Sequence, residues 1–276
     1  MRTGNVGENV VLVYLVVCFF VFLAGFVDSI AGGGGLISLP AYMIAGLPVH
    51  TAIATNKMSS SMGTFVASFH YMKKGFMKWK ICIPTVFGAI AGSWIGSHLA
   101  LLISEKALKI AMLVVLPVIL FYVLRSKALK GKDENAIEVI NGMLIFKSIL
   151  IAAVVGIYDG IYGPGTGTFL MLLFTGFCHM TLNDAAGATK AINLTTNITA
   201  LVVFLINGKV LLPLGIAAGV CNMAGNYLGS HSFTSNGHKI VKPVIIVVIV
   251  IFFIKVLTEL IDRKSTRLNS SHIARS

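Results

Sequence analysis

Long apolar runs, more than any single motif, limit what this chain can fold into. Residues 10–25, 81–103, 107–124 and 244–257 carry almost no charged side chains. Several of these runs approach the roughly 20 residues that an α-helix needs to cross the hydrocarbon core of a bilayer. Only 12% of all residues are charged, against about 25% in a typical soluble domain. The sequence therefore predicts an all-α integral membrane protein with many spans.

The formal charge of +12 does not indicate a nucleic-acid partner. The lysines and arginines lie in short loops between apolar runs, and no basic face or RNA-reading motif accompanies them. Residues 73–80 hold four lysines, and residues 125–142 form a polar, charged linker. The two loops are two predicted spans apart and so face the same side, which the positive-inside bias predicts to be cytoplasmic. We expect a multi-pass protein of the plasma (inner) membrane with the lipid bilayer as a partner.

The chain gives no signal for a metal or a cofactor. Its four cysteines are widely separated, lie in apolar segments and have no metal-ligand or CxxC spacing, which is typical of packing thiols. Residues 1–24 are interpreted as a retained first helix rather than a signal peptide, because the segment that follows recurs later in the chain. Residues 264–276 are polar, serine-rich and aperiodic, and are interpreted as a tail that is not native to the chain.

Two stretches of the chain repeat each other. "GFVDSIAGGGG" from Gly25 matches "GIYDGIYGPGT" from Gly156, and "GSWIGSH" matches "GNYLGSH" further on. Blocks in one order and at nearly constant spacing indicate a duplication. The matched positions are Asp28 with Asp159, Gly32 with Gly163, Gly34 with Gly165, Lys57 with Lys190, and Gly75 with Gly208.

The duplication divides the chain into a first transmembrane repeat over 1–124, the cytoplasmic linker over 125–142 and a second repeat over 143–263. Each repeat holds four to five hydrophobic segments, about eight to ten in total. The predicted segments are 10–30, 36–47, 53–72, 81–103 and 106–124, then 143–160, 167–178, 186–206, 211–231 and 239–260. The short segments 36–47 and 167–178 leave one question open. If they cross the bilayer the repeats are inverted, and if they only dip into it the repeats are parallel.

Glycines beside an aspartate predict a helix that is broken inside the membrane. Irregular backbone at membrane depth survives only where protein buries it or where it lines a wet cavity. Matching broken helices in two repeats are typical of secondary transporters, whose sites lie between the repeats. Exposed helix N-termini and the two matched lysines favour an anion. The predicted substrate-binding residues are Gly33, Gly34, Gly35, Asn56, Lys57, Ser60, Gly165, Thr166, Gly167, Lys190, Asn193 and Asn197.

Other roles stay open for these residues. The glycines also permit close helix packing, as small residues do in membranes. The lysines are also interpretable as structural counter-charges rather than substrate ligands. For Asp28 and Asp159, two roles remain: carriers of a coupling proton, or structural partners of Lys57 and Lys190.

These paired motifs resemble the sulfite exporter TauE/SafE family of membrane transporters. The likeness rests on "GFVDSIAGGGGLISLPAYMIAGLPVHTAIATNK" in the first half and on "GIYDGIYGPGTGTFLMLL" and "ATKAINLTTN" in the second. It extends over nearly the whole chain except the tail. The resemblance implies a permease for small sulfur-containing or organic anions, such as sulfite or sulfonates, and assigns no catalytic residue.

Two further functions compete with a carrier that works by alternating access. An anion channel would use the same polar pathway without alternating access. An intramembrane aspartyl protease would use Asp28 and Asp159 as a pair of carboxylates sharing a proton. The glycine–aspartate motif of those proteases is missing from the second helix, and no HExxH or GxSxG motif occurs. We therefore expect no enzymatic activity.

Overall fold

The computed structural model describes residues 4–108, 110, 111, 114, 121 and 140–232, with side-chain surroundings from residue 10 onward. These residues form eight α-helices and no strand. The predicted helices over 106–124 and 239–260, the linker and the tail lie wholly or largely outside the described residues. The helices are α1 (Gly4–Ala31), α2 (Gly35–Ile44), α3 (Val49–Lys73), α4 (Trp79–Leu102), α5 (Gly142–Ile161), α6 (Thr166–Gly176), α7 (Leu182–Ile206) and α8 (Leu212–His231).

Local sequence signals account for several helix ends. The Asn141 side chain accepts a hydrogen bond from Leu144 N at 2.8 Å and caps α5. The Thr181 hydroxyl accepts one from Asp184 N at 3.1 Å and caps α7. Each cap satisfies one of the N–H groups that a helix N-terminus leaves without an intrahelical partner. The helix bounds agree with the predicted segments to within a few residues, apart from the longer start of α1.

Glycine-mediated contacts join two pairs of helices that run side by side in the same direction. In the first pair, Asn222 of α8 donates to the carbonyl of Val21 in α1, and Gly229 packs on Phe26 further along both helices. In the second pair, Gly88 and then Gly96 of α4 pack on Ile149 and Ile157 of α5. A side chain at these glycines would overlap the neighbouring backbone, so small residues set these close approaches.

The two long polar helices, α3 and α7, run antiparallel to each other. Lys57 near the start of α3 contacts Asn197 near the end of α7. Ser68 near the end of α3 contacts the carbonyl of Lys190 near the start of α7. Helix α8 runs along α3 in the same direction. Near the start of α8, Gly215 packs on Met58, and at its end the ring of His231 lies against the ring of His70.

Helix α4 likewise runs along α7, with Lys78 at Asp184 and Ser93 at Thr196. The contacts therefore define two groups of parallel helices, α1, α3 and α8 in one and α4, α5 and α7 in the other, with opposite directions. Because α1 and α3 share a direction, the chain must turn back along the short helix α2 between them. Helix α6 makes the same return between α5 and α7.

The outside of the bundle is apolar. Among the described residues, four helices are long and apolar enough to cross a membrane, while α2 and α6 are shorter apolar helices. Large hydrophobic side chains such as Phe19, Phe87 and Phe146 are exposed on the surface. Buried positions of α3 and α7 are instead rich in hydroxyl, amide and lysine side chains. The bundle thus has an apolar exterior and a polar centre, the arrangement expected of a helical protein in lipid.

Candidate functional site

The candidate site begins at two short non-helical segments in the middle of the bundle. Residues 32–34 separate α1 from α2, and residues 162–165 separate α5 from α6. The first segment touches the start of α6, because a Cβ atom built at Gly32 would overlap the backbone of Gly167. The hydroxyl of Thr168 also donates to the carbonyl of Ala31 at 2.9 Å. Gly32 has φ +72°, a left-handed conformation that glycine adopts without the steric cost of a Cβ.

Two buried ion pairs lie beside this contact, and both connect the N-terminal half of the chain with the C-terminal half. The Nζ atom of Lys57 in α3 lies 2.7 Å from Oδ2 of Asp159 in α5. The Nζ atom of Lys190 in α7 lies 2.7 Å from Oδ2 of Asp28 in α1. The side chains of the first pair are 2% and 4% exposed, and those of the second pair 3% and 17%.

Polar neighbours complete the bonding of each pair. Lys57 also donates to Oδ1 of Asn197 at 3.0 Å, and Lys190 also donates to the backbone carbonyl of Asp28 at 2.5 Å. The Thr166 hydroxyl lies 2.7 Å from Oδ1 of Asp159. The formal charges of the two lysines and two aspartates cancel in this state. The lysines alone would make the site positive, but the cross-pairing makes these four groups neutral together.

A polar cavity of about 30 Å³ lies between the two breaks and the two polar helices. A water molecule needs about 10–15 Å³ by this measure, so the cavity holds about two waters in this conformation. Most of the predicted site residues line it. These are Gly34, Gly35, Asn56, Lys57, Ser60, Thr166, Gly167, Asn193 and Asn197, together with Asp28 and Asp159.

Three predicted site residues do not line the cavity, namely Gly33, Gly165 and Lys190. Gly165 is the residue before α6 and has φ +79°, so it shapes the turn instead. Lys190 points at Asp28, and its ammonium group is bonded there. Helix α8 also lines the cavity, through Asn222, and sequence reasoning missed this contribution. The available signal was an amide side chain inside an otherwise apolar helix. The lining residues outside the predicted set are Gly32, Ser38, Thr64, Gly163 and Asn222.

An unpartnered polar atom lies on the side of the cavity formed by α7. Within the described residues, Oδ1 of Asn193, which lines the cavity, is buried without a hydrogen-bond partner. The Thr189 hydroxyl, one turn earlier and outside the lining, is also buried without one. Burying such an atom costs free energy unless a ligand or a water supplies the missing bond. Among the described residues, no group of three or more histidine, cysteine, aspartate or glutamate side chains is placed to hold a metal ion.

Apolar helices around a polar cavity, with two non-helical segments and cross-paired charges at the centre, are typical of polytopic membrane transporters. Comparison with known sequences makes the class specific. The family model for "Sulfite exporter TauE/SafE" matches residues 17–256, so the chain belongs to this family of membrane transporters.

Bacterial relatives agree with this assignment. The chain is 33% identical to "Probable membrane transporter protein ORF9" of Sinorhizobium sp, over 86% of this chain and 90% of the relative. It is 32% identical to "Probable membrane transporter protein YfcA" of Escherichia coli K12, over 93% of this chain and 94% of the relative. A "Probable membrane transporter protein" of Haemophilus influenzae is 29% identical over 82% of this chain and 87% of the relative. No solved structure matches the chain significantly.

Proposed function

We propose that this transporter carries small anions, sulfur-containing or organic ones such as sulfite and sulfonates, by alternating access between two inverted repeats. The observation that carries the proposal is the polar cavity where two interrupted helices meet beside ion pairs that join the two halves. In secondary transporters, substrates bind near the bilayer midplane at such a repeat interface.

Helix direction supports the inverted arrangement. Helices α3 and α7 occupy matching positions in the two halves, and they run antiparallel. Parallel repeats would give them the same direction, so the alternative that the sequence left open is disfavoured. Backbone conformation supports the duplication as well, since left-handed residues recur at matching positions. These are Gly32 (φ +72°) with Gly163 (+93°), Gly46 (+92°) with His179 (+50°), and Gly75 (+74°) with Gly208 (+62°).

The chemistry of the cavity supports an anion as the solute. The first residues of α2 and α6, including Gly35 and Gly167, line the cavity. The N-terminal end of a helix dipole favours negative charge. The ammonium group of Lys57 lies beside them, and a proton is the proposed coupling ion because Asp28 and Asp159 are the acidic groups of the lining. The glycine breaks, the amide side chains and Lys57 would together replace the hydration shell of the anion.

The orientation of the protein in the plasma membrane belongs to the same proposal. The loop between α3 and α4 lies within residues 73–80, which contain four lysines. Helix α5 runs in the direction of α4, so its first residues, which follow the linker, lie on the side of that loop. The loop between α3 and α4 and the first residues of α5 therefore share one side, and the positive-inside bias favours the cytoplasm for it.

A flux screen on purified protein in liposomes tests the proposed function. The probes are sulfite, methanesulfonate, thiosulfate and acetate, each measured against protein-free liposomes. We expect saturable uptake of at least one sulfur-containing anion and exchange of labelled for unlabelled solute across the membrane. Transport of cations or neutral solutes alone would contradict the proposal. Uptake that does not saturate and shows no exchange would identify an anion channel instead of a carrier.

A further inference from the structure

The carboxylate of Asp159 is held by two donors and is almost fully removed from solvent. Its Oδ2 accepts a hydrogen bond from Lys57 Nζ at 2.7 Å, and its Oδ1 accepts one from the Thr166 hydroxyl at 2.7 Å. The side chain is 4% exposed. Its partner is Lys57, and of the two lysines in the ion pairs this is the one that lines the cavity.

The second pair is built differently. Lys190 does not line the cavity, and its ammonium group is bonded to the carbonyl as well as to the carboxylate of Asp28. An anion in the cavity therefore meets the Lys57 ammonium group before that of Lys190. Asp28 is also the more exposed carboxylate, at 17% against 4%. The two aspartates match in sequence but differ in their surroundings.

An anion that binds Lys57 must take the place of the Asp159 carboxylate. A carboxylate left buried without its counter-charge is strongly unfavourable, so it neutralises by taking up a proton. We infer that one anion and one proton bind together, with the anion on Lys57 and the proton on Asp159. The anion brings one negative charge and the proton one positive charge, so the total charge of the site stays the same. This inference rests on the proposed anion transport and names its coupling residue and stoichiometry.

Thr166 gives the protonated form of Asp159 a ready partner. Its hydroxyl oxygen lies 2.7 Å from Oδ1 of Asp159 and also 2.7 Å from the carbonyl oxygen of Gly163. A hydroxyl group donates once and can accept at the same time. With Asp159 ionised, the hydroxyl donates to the carboxylate. With Asp159 protonated, the acid donates to Thr166, and Thr166 turns its hydrogen toward Gly163. Both protonation states of Asp159 are thereby satisfied without a backbone change.

The groups around Asp159 agree with this assignment. Helix α3 brings Lys57 and α6 brings Thr166, while Tyr158 precedes Asp159 on α5 and Tyr162 follows the end of α5. Helix α4 contributes Ser93 and Ser97 against Gly160 and adds no charge there. Asp28 lines the same cavity from α1, with Lys190 of α7 at its carboxylate. Lys57 is thus the positive group directly bonded to Asp159. When an anion binds the Lys57 ammonium group, Asp159 loses this counter-charge, and protonation of Asp159 is favoured.

Equilibrium accumulation of methanesulfonate in proteoliposomes tests the inference. This sulfonate stays ionised near neutral pH, so any proton that travels with it must be carried by the protein. With the membrane potential clamped at zero, we expect about tenfold accumulation per unit of pH difference for a one-to-one ratio. With no pH difference, a potential of 100 mV should change accumulation very little. An uncoupled monovalent anion would respond to that potential by about 2.3 kcal/mol, which is roughly fifty-fold.

The outcomes separate the two proposals. Accumulation that follows the potential and ignores the pH difference overturns the coupling and leaves anion transport standing. Absence of any methanesulfonate uptake contradicts the coupled binding inferred for a monovalent sulfonate, and absence of uptake for all sulfur-containing probes of the flux screen contradicts the proposed substrate class. The measurement on the unaltered protein decides these cases without any variant.

Variants assign the proton to one carboxylate. Asp159→Asn imitates a permanently protonated side chain, so accumulation should follow the potential and lose its tenfold dependence on pH. Asp28→Asn should keep the pH dependence, whatever its rate of uptake. Asp184→Asn, at a surface position that pairs with Lys78, is the control for an aspartate outside the cavity. Loss of the pH dependence in Asp28→Asn with retention in Asp159→Asn would overturn the assignment.

Discussion

Substitution of Gly32 by alanine tests whether the contact between the two helix breaks holds the site together. Gly32 has φ +72°, and the left-handed conformation costs a residue with a Cβ about 1–2 kcal/mol. The added Cβ would also lie 2.6 Å from the Cα atom of Gly167. Ordinary van der Waals contact begins near 3.4 Å and the carbonyl carbon of Gly167 lies closer still, so Gly32 and the start of α6 must separate by more than about 0.8 Å. Overpacking of this kind costs about 1–3 kcal/mol, which gives about 2–5 kcal/mol in total.

Gly75 provides a matched control for this experiment. Its φ is +74°, and a Cβ built there meets nothing within 4 Å. Gly75→Ala should therefore pay the backbone cost alone, about 1–2 kcal/mol. Stability of both variants is measured by denaturant unfolding in detergent micelles, and transport by flux in liposomes. We expect Gly32→Ala to lose more stability than Gly75→Ala and to lose transport as well. Equal losses and intact transport in Gly32→Ala would refute the reasoning.

Three further predictions concern the bonds between the halves. Lys190→Ala should lower stability by about 3–5 kcal/mol because it leaves Asp28 without its counter-charge. The double variant Lys190→Ala, Asp28→Asn should recover much of that lost stability. A double variant as unstable as Lys190→Ala alone would contradict this expectation. Thr168→Val removes the bond to the Ala31 carbonyl and should cost about 1–3 kcal/mol in the same unfolding assay. Ser93→Ala removes the 2.7 Å hydrogen bond to the Thr196 carbonyl and should destabilise the protein by a similar amount. For either variant, an unchanged unfolding midpoint would contradict the predicted contribution of the hydrogen bond to stability.

The all-helical fold and the helix positions were predictable from the sequence because local signals define them. Apolar runs mark the helices, and glycines lie in the non-helical segments at residues 32–34 and 162–165. The placement of Asn193 and Asn197 on one side of α7 followed from their spacing, whereas Lys190, predicted on the same face, is bonded to Asp28 and does not line the cavity. Spacing along one helix reports which side chains share a face, but it does not report which groups that face meets.

The choice of partners was not predictable in the same way. Pairing Lys57 with Asp159, and Lys190 with Asp28, depends on how α3 and α7 pack against the other half. No local signal in either helix records that packing. Asn222 was missed for the same reason, since its helix approaches the cavity only through tertiary contact. The sequence left helix direction undecided because the short length of α2 is compatible with either topology.

In the proposed inverted arrangement, the opposed directions of α3 and α7 would make the two membrane faces of the protein equivalent. If the two halves exchanged their conformations, each contact would be replaced by the matching contact on the opposite side of the membrane. The solute would then leave from that side. A change that loosens one half should therefore have a counterpart in the other half with reversed sidedness. The two halves differ at some matched positions, such as Ser60, whose counterpart is Asn193. Such differences are the places where the protein can favour one direction of transport.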